Sequence, residues 1–130
     1  ALMRRESAFE ADVISSAGAI GLMQLLLVTA KSVGEDLGTE TITRNHLTQA
    51  AWNIRLGTKH LRDLIDSFDG VIPSAVASYN AGEAAVRRWM SLFGADDIET
   101  FIEAIEYTET RNYVRRVLGD FWIYQELYDV

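Results

Sequence analysis

The sequence predicts an all-α protein, and three observations carry that prediction. Apolar residues recur at three- and four-residue spacing along nearly the whole chain. No segment alternates apolar and polar residues for long enough to make a half-buried strand. One proline, Pro73, stands in 130 residues, where about six would be average, so little interrupts a long helix. Six or seven helices in a single domain are expected. A chain of this length buries about two-thirds of its unfolded surface and is too short for two ordinary cores.

The elements follow in order. Leu2, Met3, Glu6 and Phe9 lie on one stripe of a first helix. Residues 11–18 are small and turn-forming, a loop. A strongly apolar helix built on Leu22, Met23, Leu25, Leu26 and Val33 then ends at Gly34. Residues 35–48 show no clean period and read as a long loop, a candidate lid or cleft wall. Trp52, Leu56, Leu61, Leu64, Ile65 and Phe68 mark a long amphipathic helix that Asp69-Gly70 breaks. Pro73 suits the first turn of the next helix, where its missing N–H costs nothing. Residues 80–82 interrupt that helix, and Val86, Trp89 and Leu92 resume the pattern over 84–93. A short helix covers 98–105. The last, over 109–128, carries Tyr113, Val114, Val117, Leu118, Phe121, Trp122 and Leu127. There is no internal repeat.

Composition excludes several classes of function. Apolar residues at 48% and charged residues at 24% describe a globular domain rather than a disordered tail. The absence of cysteine excludes disulfides, a thiol nucleophile and thiolate metal sites. A net charge of −7 argues against nucleic-acid binding. The most apolar stretch, 17–30, is too short for an integral membrane segment and contains Gln24 and Thr29. No signal-peptide pattern is present, and because Ala1 opens directly into helical sequence, a trimmed domain or a fragment of a longer chain is expected. His46 and His60 have no companion carboxylate at ligand spacing, so no metal site is expected. No P-loop, dinucleotide fingerprint or nucleophile elbow occurs, and no cofactor is implied.

The residues left to carry chemistry are few. Glu6 shares a stripe with Leu2, Met3 and Phe9, and an apolar setting would raise its pKa as a general acid requires. At the stripe's edge it would instead reach solvent or pair with an arginine. Gln24 is the sole strongly polar residue between Gly18 and Thr29. A buried amide needs partners, so it either ties down a loop or faces a polar cleft. Ser15 and Ser16 precede it in the loop. Tyr79 and Asn80 break a helix with an aromatic and an amide, a pattern that is also plain turn chemistry. Glu109 opens the last helix, with Thr108 as its expected cap. Arg87-Arg88 and Arg115-Arg116 read as solvated helix faces.

In order and spacing these pieces resemble one family. Glu6-Ser7-Ala8-Phe9 is followed by Ser15-Ser16-Ala17-Gly18-Ala19-Ile20-Gly21-Leu22-Met23-Gln24-Leu25, then Asn53-Ile54-Arg55-Leu56-Gly57-Thr58. Ala77-Ser78-Tyr79-Asn80-Ala81-Gly82 and Tyr107-Thr108-Glu109-Thr110-Arg111-Asn112-Tyr113-Val114 complete the set. They resemble the catalytic domain of the soluble lytic transglycosylases, from Leu2 to about Tyr124. The resemblance implies a goose-type lysozyme-like fold. It also implies cleavage of the β-1,4 bond between N-acetylmuramic acid and N-acetylglucosamine in peptidoglycan, with a 1,6-anhydro ring in place of hydrolysis. Glycan strands would be the partner, and the periplasm, the cell envelope or a phage particle the location.

Carried over by resemblance, Glu6 would be the lone catalytic acid/base. Ser15 and Gln24 would orient the acetamido group and the glycan. Leu26 stands where the family usually has a methionine beside the sugar. Tyr79 would position substrate, Asn80 would shape that wall, and Glu109 would line the floor opposite Glu6. Two alternatives stay open: a lysozyme-type hydrolase on the same fold, and a glycan-binding domain with weak catalysis. Where the family usually shows proline, this sequence has Ala11, Ser16, Leu27, Ala50 and Glu106. Glu106 would set a second carboxylate near Glu109 and disturb its protonation if both face the cleft. Five losses in one direction read as an engineered family member, a reading that a natural gene encoding these residues would remove.

Overall fold

The structure, a computed structural model, describes residues 1–94 and 97–128. Among these it contains eight helices: α1 (Leu2–Ser7), α2 (Leu27–Asp36), α3 (Arg44–Leu47), α4 (Ala50–Ser67), α5 (Ile72–Ala81), α6 (Glu83–Phe93), α7 (Ile98–Ala104) and α8 (Thr108–Tyr128). The chain's contacts gather into two units, Leu2–His60 and Leu61 onward with Ala1, and α4 runs from the first into the second. The all-α expectation holds, with one helix more than expected. The addition is the single turn α3, inside the stretch read as loop. Thr43 caps it, with His46 Nδ1 accepting from the Thr43 N–H at 3.0 Å.

The first unit departs from the sequence reading at two places. Phe9 does not continue the α1 stripe: the helix ends at Ser7, and Ala8 and Phe9 take left-handed φ values of 51° and 68°. Phe9 is then exposed. The apolar run 20–26 is not helical either. Ile20 bridges both Ile14 and Leu25, with Ile20 and Leu25 exchanging backbone hydrogen bonds of 2.9 and 3.1 Å. Gly21 at φ 78° and Gln24 at φ 48° turn the chain between them. Ile20, Leu22, Met23 and Leu25 are all buried, so a run buried on every side imitated a helix by composition alone.

The helix proper begins at Leu27 and continues through Gly34 instead of stopping there. Gly34 is needed for approach: a Cβ there would meet Ile42 Cγ1 at 2.7 Å and Thr39 Oγ1 at 2.9 Å. The turn that ends α2 uses Gly38, at φ 65°.

In the second unit α5 packs on α6 and α8, and α7 packs on α6 and α8. Pro73 sits in the first turn of α5 as expected. Residues 73–78 are buried together, their small side chains permitting close helix approach. Gly82, at φ 88°, separates α5 from α6. The fully buried Trp89 of α6 meets Tyr107 edge-on, with ring centroids 5.1 Å apart.

The arginines do more than solvate their helices. Arg87 bridges Glu83 at 2.6 Å and the Ser67 carbonyl at 3.0 Å, and its guanidinium lies 4.7 Å from the Phe68 ring centroid. Arg88 pairs with Glu106 at 2.9 Å, and Arg115 with Glu103. Thr108 is the first residue of α8 rather than its cap.

Two predictions come from these elements. Hydrogen bonds from Ser67 and then Arg87 hold the Glu83 carboxyl below its usual value of 4.5. Its contribution to stability is therefore complete above pH 4.5 and lost as pH falls through the lower folded-state value. Between about pH 6 and about pH 3, wild type should lose more thermal stability than Glu83→Gln. Leu27 opens α2, and Leu26 before it has φ −71° and ψ 142°, the backbone a following proline requires. Leu27→Pro should raise stability by up to about 1 kcal/mol in urea denaturation.

Candidate functional site

The first unit carries four of the candidate residues. Glu6 stands on the last turn of α1, half-buried. The next residue, Ser7, is buried, and its hydroxyl donates to the Leu22 carbonyl at 2.8 Å. This bond joins the end of α1 to the loop that carries Gln24. That loop is gripped again from α4. Asn53, 0% exposed, donates to the carbonyls of Ile20 at 2.9 Å and Leu47 at 2.8 Å and accepts from the Met23 N–H at 2.7 Å. Gly21 faces that amide with no space for a side chain, since a Cβ would strike the Leu47 carbonyl and Asn53 Nδ2.

Of the two expectations for Gln24, the structure shows loop tying. Its Nε2 donates to the carbonyls of Val13 at 3.1 Å and Gly21 at 3.0 Å. Its Oε1 takes no hydrogen bond from the described residues and is left as an acceptor. Ser15 also shapes the loop: its Oγ accepts from the Ala19 N–H at 3.0 Å, which leaves the hydroxyl proton to donate. Leu26 stands exposed at the N-cap of α2, an apolar side chain open to contact. Glu6, Ser15 and Gln24 are thus linked by one short system of turns and two isolated β-bridges.

The second unit carries the other three. Tyr79 and Asn80 lie in the last turn of α5, Tyr79 half-buried and Asn80 exposed. Glu109 lies in the first turn of α8, exposed. A hydrogen bond joins the two helices here: the buried Thr110 donates its hydroxyl to Asn80 Oδ1 at 2.7 Å. The neighbours of that bond are Tyr79 on one side and Glu109 on the other. Glu106 does not stand as an unbalanced charge beside Glu109, because Arg88 binds its carboxylate.

His46 packs against Trp52, with centroids 5.0 Å apart, and is a packing histidine. Among the described residues no group of three histidines, aspartates or glutamates could hold a metal ion. No helix among them is long and apolar enough to cross a membrane.

Residues 1–102 match the family model described as the transglycosylase SLT domain. The chain belongs to that family. Over 121 residues this SLT domain is 36% identical to the soluble lytic murein transglycosylase of Salmonella typhimurium, covering 92% of this chain and 19% of that one. It is similar to an inactive glutamate-to-glutamine variant of lytic transglycosylase Slt from Pseudomonas aeruginosa, with a TM-score of 0.93 and 37% identity over 98% of this chain and 21% of that one. The soluble lytic transglycosylase of Escherichia coli matches with a TM-score of 0.91 and 32% identity, over 98% and 21%. The lysozyme-like all-α fold expected from the sequence is the fold of these neighbours. The chain spans about a fifth of the length of the relatives it matches.

Sequence reasoning missed the residues that hold the candidate side chains in place within each unit, Ser7 and Asn53 in the first and Thr110 in the second. Asn53 left a legible signal. It shares the stripe of Leu56 and Gly57, three and four residues on, and a polar residue on an apolar face needs a buried partner. Ser7 and Thr110 left none, because small hydroxyl residues in helices are unremarkable until a partner comes near. Thr110→Val preserves volume and deletes the bond to Asn80. It should destabilise the protein by about 1 kcal/mol in urea denaturation, with the exposed Asn80 amide free to hydrate.

Proposed function

We propose that this chain is a peptidoglycan lytic transglycosylase domain, acting in the cell envelope on the β-1,4 bond between N-acetylmuramic acid and N-acetylglucosamine. The observation that carries the reading is Glu6 itself: a half-buried carboxyl at the end of a pinned helix, in a family of which one matched structure is inactive as a glutamate-to-glutamine variant. All 130 residues are read as one catalytic domain.

Glu6, protonated, gives its proton to the glycosidic oxygen as the C1–oxygen bond breaks. The 2-acetamido oxygen of the same sugar bonds to C1 and holds the positive charge, in the role a second carboxylate plays in ordinary glycosidases. Glu6, now ionised, takes the proton of the 6-hydroxyl, whose oxygen displaces the acetamido oxygen at C1 and closes the 1,6-anhydro ring. Glu6 ends protonated, and no water is consumed. One carboxyl serves as acid and then as base.

The first-unit residues match this chemistry in type. The unoccupied acceptor Oε1 of Gln24 suits the acetamido N–H, and accepting from it makes the acetamido oxygen a better nucleophile. The unspent Ser15 proton suits a glycan oxygen. Leu26 offers apolar surface to a sugar face. Tyr79, Asn80 and Glu109 are assigned to further substrate contacts, with the Thr110 bond fixing Asn80. No cofactor or metal enters any step.

Glu6→Gln keeps the side chain's shape and cannot donate a carboxylic proton. It should abolish cleavage while leaving the circular dichroism spectrum unchanged. Mass spectrometry of digested peptidoglycan should show anhydro ends for wild type. Reducing ends in their place would make the protein a hydrolase, and binding without cleavage by either protein would make it a glycan binder.

A further inference from the structure

The motif Asn53-Ile54-Arg55-Leu56-Gly57-Thr58 has no role in the steps above. We infer that Asn53 and Gly57 of α4, with Ser7 of α1, are positioning residues for the reaction: they hold residues 20–24 in one geometry and so fix Glu6 and Gln24 relative to each other. The inference rests on Glu6 being the acid/base.

Residues 20–24 belong to no helix and have only the two isolated bridges at Ile20 as regular pairing. Their buried backbone groups are satisfied largely from outside the segment. Asn53 takes the Ile20 carbonyl and the Met23 N–H, and Ser7 takes the Leu22 carbonyl. The two grips fall beside the two polar groups of the proposed chemistry. Ser7 follows Glu6 directly, and Met23 directly precedes Gln24.

Gly57 sets the depth at which the segment lies on α4. A Cβ there would meet Met23 Cβ at 2.8 Å and Cγ at 3.0 Å, as well as the sulfur. Met23 is buried and has no open side to move into. The segment is therefore held from α1 by a hydroxyl, from α4 by an amide, and against α4 by the absence of a side chain. An acid displaced by about 1 Å from the bond it protonates loses on the order of 100-fold in rate. A clamp made of single hydrogen bonds therefore acts on turnover before it acts on binding.

The test compares Ser7→Ala, Ser7→Thr, Gly57→Ala and Glu6→Gln with wild type, all in the 130-residue chain, on a soluble peptidoglycan tetrasaccharide. Ser7→Ala should lower kcat about 10- to 100-fold with KM within about twofold of wild type and an unchanged circular dichroism spectrum. Ser7→Thr, which retains the hydroxyl, should recover most of that kcat. Gly57→Ala should lower kcat in the same sense. A Ser7→Ala protein with wild-type kcat, or with a loss no greater than its loss of folded protein, overturns the inference. An inactive Glu6→Gln beside a fully active Ser7→Ala overturns it alone; a fully active Glu6→Gln overturns the reading of Glu6 and this inference with it.

Discussion

The first unit depends on the side-chain amide of Asn53. A buried carboxamide is costly unless its hydrogen-bonding groups find partners. Here both N–H groups and the oxygen are occupied, each by backbone. The partners come from two separate stretches, the turn at 20–23 and the end of α3, so one side chain replaces the sheet ladder those stretches lack. Gly21 and Gly57 follow from it. Each lets backbone or Met23 approach α4 closely enough for the amide bonds to form. Ser7 then extends the same order to α1.

The second unit is built on a different principle. Its interior comes from helix packing, with α5 buried along most of its length and Trp89 as the largest fully buried side chain. Polar contacts there act mostly at the rim, between exposed arginines and carboxylates, where each is worth little by itself. The Thr110–Asn80 bond differs from these, since its donor is buried. Precision in the first unit therefore comes from named hydrogen bonds, and in the second from shape.

That contrast explains what could be read from the sequence. The helices α4, α6 and α8 were legible because each buries a stripe and exposes the rest, and periodicity records that difference. Pro73 marked the start of α5 for a reason that depends on no neighbour. Residues 20–26 were misread because every apolar side chain there is buried, which removes the periodic signal. Phe9 was misread because a left-handed backbone at Ala8 ends the helix two residues early, and neither residue type announces it. The candidate residues were legible as a set through family likeness. Their supports were missed: Asn53 showed only as a polar residue on an apolar stripe, and a hydrogen bond between residues 15 or more apart leaves no local pattern that names the partner.

The pairing of Arg87, Arg88 and Arg115 with carboxylates of this same chain also bears on how the domain meets a polymer. Cations engaged within the fold are not offered to the outside, and the net charge is −7. A network carrying fixed negative charge shuts out mobile ions of its own sign, a Donnan effect that grows with the charge of the excluded species. Toward a network of fixed negative charge a domain of net charge −7 is a co-ion and is thinned out within the mesh. Added salt weakens that exclusion by screening both partners, so ionic strength should help this domain enter the network where it would strip a basic one away.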